Sequence, residues 1–77
     1  MTYVLNLELI KQKREEKHLT LQQMADALGI KDRWKYYKRE NGDTKFKASE
    51  IPIIVSVLDI PYQKIFDIKL RKSQRED

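Results

Sequence analysis

Apolar residues recur along the chain at the spacing of helices that each bury one side. Met24, Ala25 and Leu28 fall on one helical face. A second face repeats through Ile51, Ile54, Val55 and Leu58 at intervals of three and four residues. These patterns predict amphipathic helices that pack against a common core.

Capping residues predict where the two central helices begin and end. Thr20 is a good N-cap, and Gln23 stands where a capping box needs it. Gly29 follows the last apolar residue of that helix, as a left-handed stop requires. Asp32 can cap the next helix and Gly42 can close it. Residues 20–42 therefore predict two short helices around a tight turn.

Three more helices are expected around this pair. The first runs from about Leu7 to Lys17, and Asn6 is its predicted N-cap. The fourth begins at Ala48 or Ser49, which places a proline in its first turn. The fifth begins at Pro61 and buries Ile65 and Phe66.

The segment after the predicted fifth helix has a different period. Phe66, Ile68 and Leu70 alternate with charged residues, which is the period of a strand. Two interpretations stay open: a short C-terminal β-strand, or a fifth helix that continues through Leu70. The last residues, 73–77, are charged and are expected to fray.

Length and composition favour one small domain without covalent or metal support. The 77 residues form a single domain, with a core at 5–66 and a tail at 67–77. The chain has no cysteine and one histidine, His18, so no metal site is expected. It has no run of roughly 20 apolar residues that could span a membrane and no signal-peptide pattern. We therefore expect a cytoplasmic protein.

The positive charge is concentrated in one segment. Residues 31–47 contain seven basic and three acidic side chains, so this segment alone accounts for the net charge of +4. A localised basic patch is typical of a protein that binds a polyanion. A lysine-rich face that merely contacts solvent is the alternative. The third helix also carries Trp34, Tyr36 and Tyr37, which favours entry into the DNA major groove.

The spacing of several motifs resembles the Cro/CI-type helix-turn-helix family, the XRE-like regulators of phages and bacteria. The resemblance covers roughly residues 5–66. It rests on Ile10…Arg14, Leu19-Thr20, Met24-Ala25, Leu28-Gly29-Ile30, Glu40-Asn41-Gly42, and Leu58-Asp59-Ile60-Pro61 before Ile65-Phe66. It implies an all-α, compact five-helix domain like that of lambda repressor, which binds operator DNA as a homodimer without a cofactor.

The resemblance also assigns residue roles. Arg14 and Glu40 match the ion pair that joins the first and third helices of the family. Arg33, Trp34 and Lys38 fall at positions that read base edges, and Tyr36 falls at a buried one.

The chain departs from the family pattern at three places. The turn contains one extra residue. Leu21 stands where many relatives have a phosphate-binding glutamine, so either Gln22 makes this contact instead or the contact is absent. Arg39 occupies a usually apolar position, so Tyr36, Tyr37 or Trp34 is expected to repack around it.

Contacts with phosphates and contacts with bases are expected from different residues. Basic residues that neutralise phosphates supply sequence-independent affinity, whereas Arg33 and Lys38 can read guanine. The Trp34 ring either contacts a thymine methyl or covers the extra turn residue. The predicted DNA-binding set is Gln22, Lys31, Arg33, Trp34, Lys35, Tyr37, Lys38, Asn41, Lys45 and Lys47.

One recognition helix covers only a half-site, so a homodimer is expected. Its predicted contact residues are Phe66, Ile68 and Leu70. The segment Phe66–Leu70 could pair with its symmetry mate or with Tyr3–Leu5.

The leading hypothesis is a sequence-specific regulator, a repressor or Cro-like protein, that binds double-stranded DNA through the recognition helix at 32–40. It would act at the nucleoid of a bacterium or a phage-infected host. The alternative is an interaction module, such as an antitoxin or an adaptor that binds another protein. An enzyme is not expected, because the chain has no glycine-rich phosphate loop and no recognisable nucleophile beside His18. We expect no cofactor, metal, membrane or small-molecule ligand.

Overall fold

A computed structural model describes residues 2–69 of the chain. Strand β1 (Thr2–Leu5) leads into helices α1 (Leu7–Glu16), α2 (Leu21–Leu28) and α3 (Arg33–Asn41). A 3-10 turn (Ala48–Glu50) runs directly into α4 (Ile51–Leu58). A second 3-10 turn (Tyr62–Lys64) is followed by strand β2 (Phe66–Lys69).

Local hydrogen bonds fix the ends of the first three helices. The Leu9 N–H donates to Oδ1 of Asn6 at 3.1 Å. Thr20 and Gln23 form a reciprocal capping box, with distances of 3.0 and 2.8 Å. Gly29 and Gly42 end α2 and α3 with φ angles of 74° and 91°, where a Cβ atom would be strained. The predicted caps are therefore present.

The core lies where the helices meet. Ala25 is fully buried beside α3, and its small side chain allows α2 and α3 to cross closely. Tyr36 is the largest fully buried side chain and anchors α3 in the core. The buried apolar residues are Ile10, Met24, Ala25, Tyr36, Ile54, Leu58, Ile60 and Ile65.

The described chain contains four α-helices, so the prediction of five is wrong. The segment after Pro61 forms only one 3-10 turn. The Asn6 N–H then donates to the Ile65 carbonyl at 2.8 Å, which draws the chain towards β1. Hydrogen bonds to a distant strand thus replace those that a fifth helix would make.

The two strands join the opposite ends of the described chain. They pair antiparallel, with Tyr3 opposite Ile68 and Leu5 opposite Phe66. The fold is therefore mostly helical with a two-stranded sheet, rather than all-α. Of the two pairing partners considered for the tail, the structure contains the one within the same chain.

Within residues 2–69, no helix is long and apolar enough to cross a membrane.

Candidate nucleic-acid interface

Helix α3 separates a buried face from an exposed basic face. Tyr36 and Glu40, one turn apart, are buried. The exposed side chains stand one turn apart in two adjacent rows, which places them on one face of the helix. They are Arg33, Trp34, Tyr37, Lys38 and Asn41, with Lys35 beside them. The sequence-predicted residues of the recognition helix thus share one surface.

A buried ion pair anchors this helix to α1. Arg14 donates through Nε and an Nη atom to the two carboxylate oxygens of Glu40, at 2.9 and 3.1 Å. Its other Nη atom donates to the Leu19 carbonyl at 3.0 Å. The Tyr36 hydroxyl donates to Glu40 at 2.7 Å. These bonds satisfy a carboxylate that is only 3% exposed.

The ionisation of Arg14 and Tyr36 reflects this cluster. Hydrogen bonding to the Glu40 carboxylate raises the pKa of Arg14 above its ordinary value. Burial, together with the Glu40 carboxylate, raises the pKa of Tyr36 far above its ordinary value. Tyr36 therefore stays a neutral hydrogen-bond donor at physiological pH.

A second ion pair starts from the neighbouring residue of the same helical turn. Nε of Arg39 donates to Oε1 of Glu50 at 2.9 Å, and these side chains are 11% and 7% exposed. An Nη atom of Arg39 also donates to the Lys35 carbonyl at 3.2 Å. Arg39 is therefore satisfied by this ion pair, and the repacking of neighbouring aromatic rings stays a prediction. Glu50 was not among the predicted residues, although an arginine at an apolar position signals a buried carboxylate.

The exposed aromatic residues form a small ordered cluster with Arg33. The Trp34 and Tyr37 rings meet edge to face, with centroids 6.0 Å apart. The Arg33 guanidinium carbon lies 5.2 Å from the centroid of the Trp34 ring. Trp34 is 54% exposed and Tyr37 43% exposed, so much of each ring is available for contact with a partner.

The turn that precedes α3 contains the extra residue and remains ordered. The Ile30 N–H donates to the Ala25 carbonyl at 2.8 Å, which closes the end of α2. Asp32 then accepts from the Trp34 N–H at 2.8 Å and starts α3. Lys31 lies between these caps with an exposed side chain.

The loop after α3 carries two more of the predicted lysines. Lys45 and Lys47 are exposed, while Phe46 between them is half-buried and meets the Tyr36 ring at a centroid distance of 6.1 Å. Gly42 opens the loop against α1, where an added Cβ atom would lie 3.4 Å from Leu7. Phe46 thus fixes the loop from beneath while both lysines face solvent.

Two of the predicted polar residues already have partners in the structure. The Gln22 amide donates to Asp26 at 3.0 Å. The Asn41 amide donates to Asp43 at 3.2 Å. Each amide nitrogen has a second N–H group, which can still donate to a phosphate.

The comparisons with known proteins bear on this geometry. The sequence model of a helix-turn-helix family matches residues 10–65, which span α1 to the second 3-10 turn. The chain belongs to the Cro/CI-type, XRE-like helix-turn-helix family. A search of curated proteins found no match. The predicted family resemblance is confirmed.

Membership of this helix-turn-helix family indicates a DNA-binding regulator, generally non-enzymatic. In the helix-turn-helix arrangement the second helix of the motif, here α3, is the one presented to DNA. Among the described residues, no group of three or more histidine, cysteine, aspartate or glutamate side chains could hold a metal ion.

The predicted dimer residues lie outside the helix-turn-helix match. Phe66 is half-buried and packs against the core of its own chain. Ile68 lies in β2, opposite Tyr3. Leu70 lies outside the described residues. Phe66 therefore has an intrachain packing role in addition to any role between chains.

Proposed function

We propose that this protein is a sequence-specific transcriptional regulator, either a repressor or a Cro-like protein, that binds operator DNA as a homodimer. It would act at the nucleoid of a bacterium or of a phage-infected host. The observation that carries the proposal is the exposed face of α3, where basic and aromatic side chains adjoin. The buried Arg14–Glu40 pair holds that face outward. Such a helix suits the major groove.

Within this proposal, α3 divides its contacts between bases and phosphates. Arg33 and Lys38 can donate to O6 and N7 of guanine. The Trp34 ring offers an apolar surface for a thymine methyl, which no other base presents in the major groove. The phosphate contacts come from the flanking residues: Gln22, Lys31, Lys35, Tyr37, Asn41, Lys45 and Lys47.

Two copies would place two recognition helices on successive turns of the same DNA face. Within residues 2–69, each strand of the sheet has a partner along one edge only. The second edge of β2 can pair with its symmetry mate. This would give a four-stranded sheet with β1 at both outer edges, and a two-fold contact that matches a palindromic operator.

The test begins with selection of bound sequences from a random duplex library. Arg33→Ala should then cost about 1–3 kcal/mol on the selected site and relax the preference at one base pair. The control is Lys64→Ala, which removes the same charge from the second 3-10 turn and should leave the preference unchanged. Equal loss on every sequence would show that Arg33 contacts only phosphate.

A protein-interaction module, such as an antitoxin or an adaptor, is the second candidate function. The observation that favours it is the exposure of Trp34 and Tyr37, because aromatic residues are enriched at protein interfaces. If the protein binds neither random nor genomic DNA at low salt, the regulator is rejected and this candidate is favoured.

A further inference from the structure

We infer that Glu50 is a positioning residue for DNA binding, because it holds the basic loop 43–47 against the recognition helix. The inference rests on the proposed function, since it assigns a role in the same interface. Glu50 itself is buried and carries a negative charge, so it cannot contact phosphate.

One carboxylate oxygen of Glu50 joins two parts of the interface. Oε1 accepts from Nε of Arg39, on α3, at 2.9 Å. The same atom accepts from the backbone N–H of Lys47 at 2.9 Å. The Glu50 N–H donates in return to the Lys47 carbonyl at 2.9 Å. Lys47 is therefore tied to Arg39 through a single buried atom.

The other end of the loop is tied to the same helix. The backbone N–H groups of Asp43 and Thr44 both donate to the Lys38 carbonyl, at 2.8 and 3.1 Å. Both ends of the segment that carries Lys45 and Lys47 are thus fixed to α3. A loop that is ordered before binding loses less entropy when it contacts phosphate.

A positioning role for Glu50 and a purely electrostatic effect of its charge predict opposite changes in DNA affinity when Glu50 is neutralised. Glu50→Gln raises the net charge of the protein by one, so Coulomb attraction alone would tighten binding to DNA. The glutamine oxygen can still accept from Lys47, but it no longer forms an ion pair with Arg39. If the pair positions the loop, binding should instead weaken although the protein becomes more positive.

The experiment compares three variants with the intact protein on a random duplex over a range of salt concentrations. The variants are Glu50→Gln, Lys45→Ala/Lys47→Ala, and the combination of all three substitutions. One phosphate contact contributes a salt slope of about 0.9, which corresponds to roughly eightfold in affinity at about 0.1 M salt. Glu50→Gln should weaken binding by about that factor and lower the slope by about one contact.

The combined variant tests whether Glu50 acts through the loop. It should bind no more weakly than Lys45→Ala/Lys47→Ala, because the loop lysines that Glu50 would position are absent.

Ile54→Val is the stability control, since it trims a buried residue of α4 and leaves both ion pairs in place. It should lower stability without changing the salt slope. If Glu50→Gln fails to fold, Arg39→Met/Glu50→Met removes both charges together and should show the same loss of affinity.

The outcomes separate this inference from the proposed function. Tighter or unchanged DNA binding by Glu50→Gln overturns the positioning role while leaving the regulator intact. Losses that add in the combined variant overturn it as well. Failure of the intact protein to bind any duplex overturns the regulator, and the positioning role with it.

Discussion

Asp59 closes α4 with an unfavourable charge. Its backbone has φ 55° and ψ 46°, the left-handed conformation in which many helices end. Aspartate tolerates this conformation better than most residues, but its carboxylate adjoins the negative end of the helix dipole. The position therefore lowers stability for an electrostatic reason that a single substitution can remove.

Asp59→Asn should raise the free energy of unfolding by about 0.3–1 kcal/mol, because asparagine keeps the shape and removes the charge. Glu8→Gln is the matched control, since Glu8 lies in the first turn of α1 where an acid is favourable. It should lower stability by a similar amount. Urea unfolding measures both effects, and high salt should reduce both. A stability change of the same sign in the two variants would contradict the dipole explanation.

Whether a side-chain hydrogen bond could be predicted depended on how far away its partner lies along the sequence. Thr20 and Asp32 bond to groups two or three residues away, so the local sequence is enough to identify these caps. Arg39 bonds to Glu50 across an irregular loop, and no period links the two positions. The family resemblance supplied the pairing of Arg14 with Glu40 but had no counterpart for Arg39.

Helix α3 is held by two ion pairs, which start from consecutive residues of its last turn. Glu40 bonds to α1 and Arg39 bonds to the 3-10 turn before α4. The two pairs therefore tie the end of α3 to two different elements. The orientation of the exposed face of α3 therefore depends on these two buried ion pairs and on the hydrogen bond from the Tyr36 hydroxyl to Glu40.

Alkaline unfolding should reveal the Tyr36 contribution. The folded state raises the pKa of Tyr36, whereas the unfolded chain loses this proton near pH 10. The stabilisation is therefore present below about pH 10 and is lost above it, at up to about 1.4 kcal/mol per pH unit.

Tyr36→Phe should make the stability curve flatter above about pH 10, although it lowers stability at neutral pH by removing a buried hydrogen bond. Urea unfolding at a series of pH values would measure this slope. Tyr37→Phe removes the same hydroxyl from an exposed ring of the same helix. An equal change of slope in both variants would contradict a specific role for Tyr36.

The predicted fifth helix shows why some elements could not be identified locally. Pro61 suits the start of a helix, and Ile65 and Phe66 lie on a plausible buried side. The alternating residues from Phe66 onward instead occupy β2, whose partner strand begins at Thr2. The alternating period after Phe66 predicted a strand, and Tyr3–Leu5 was one of its two possible partners. Because that partner lies at the opposite end of the described chain, neither segment alone could decide between helix and strand.

At the scale of the whole molecule, the sheet connects both ends of the described chain to the side of a helical unit. The helix-turn-helix match ends at residue 65, immediately before β2. The family match therefore covers the helical unit but not the strands. We propose that the helical unit contacts DNA and that the sheet mediates self-association.

Two deletions test this division. Removal of residues 67–77 takes away most of β2, so the four-stranded sheet cannot form and the protein should become monomeric. Its helices should persist, because Ile65 and the remaining core are retained. It should lose most of its affinity for an operator with two half-sites but keep weak half-site binding. Circular dichroism, sedimentation and gel-shift titration measure these three properties.

Removal of residues 1–5 is the matched deletion, because it takes away β1 but leaves both edges of β2 available. This variant should be less stable, since Phe66 loses its cross-strand partner Leu5. It should nevertheless remain a dimer, as an unpaired strand edge favours pairing with another chain. If it becomes monomeric, the contact between copies requires β1 rather than β2. If instead the chain without residues 67–77 still sediments as a dimer, the strand is not the dimer element, and the surface of the helical unit must supply the two-fold contact.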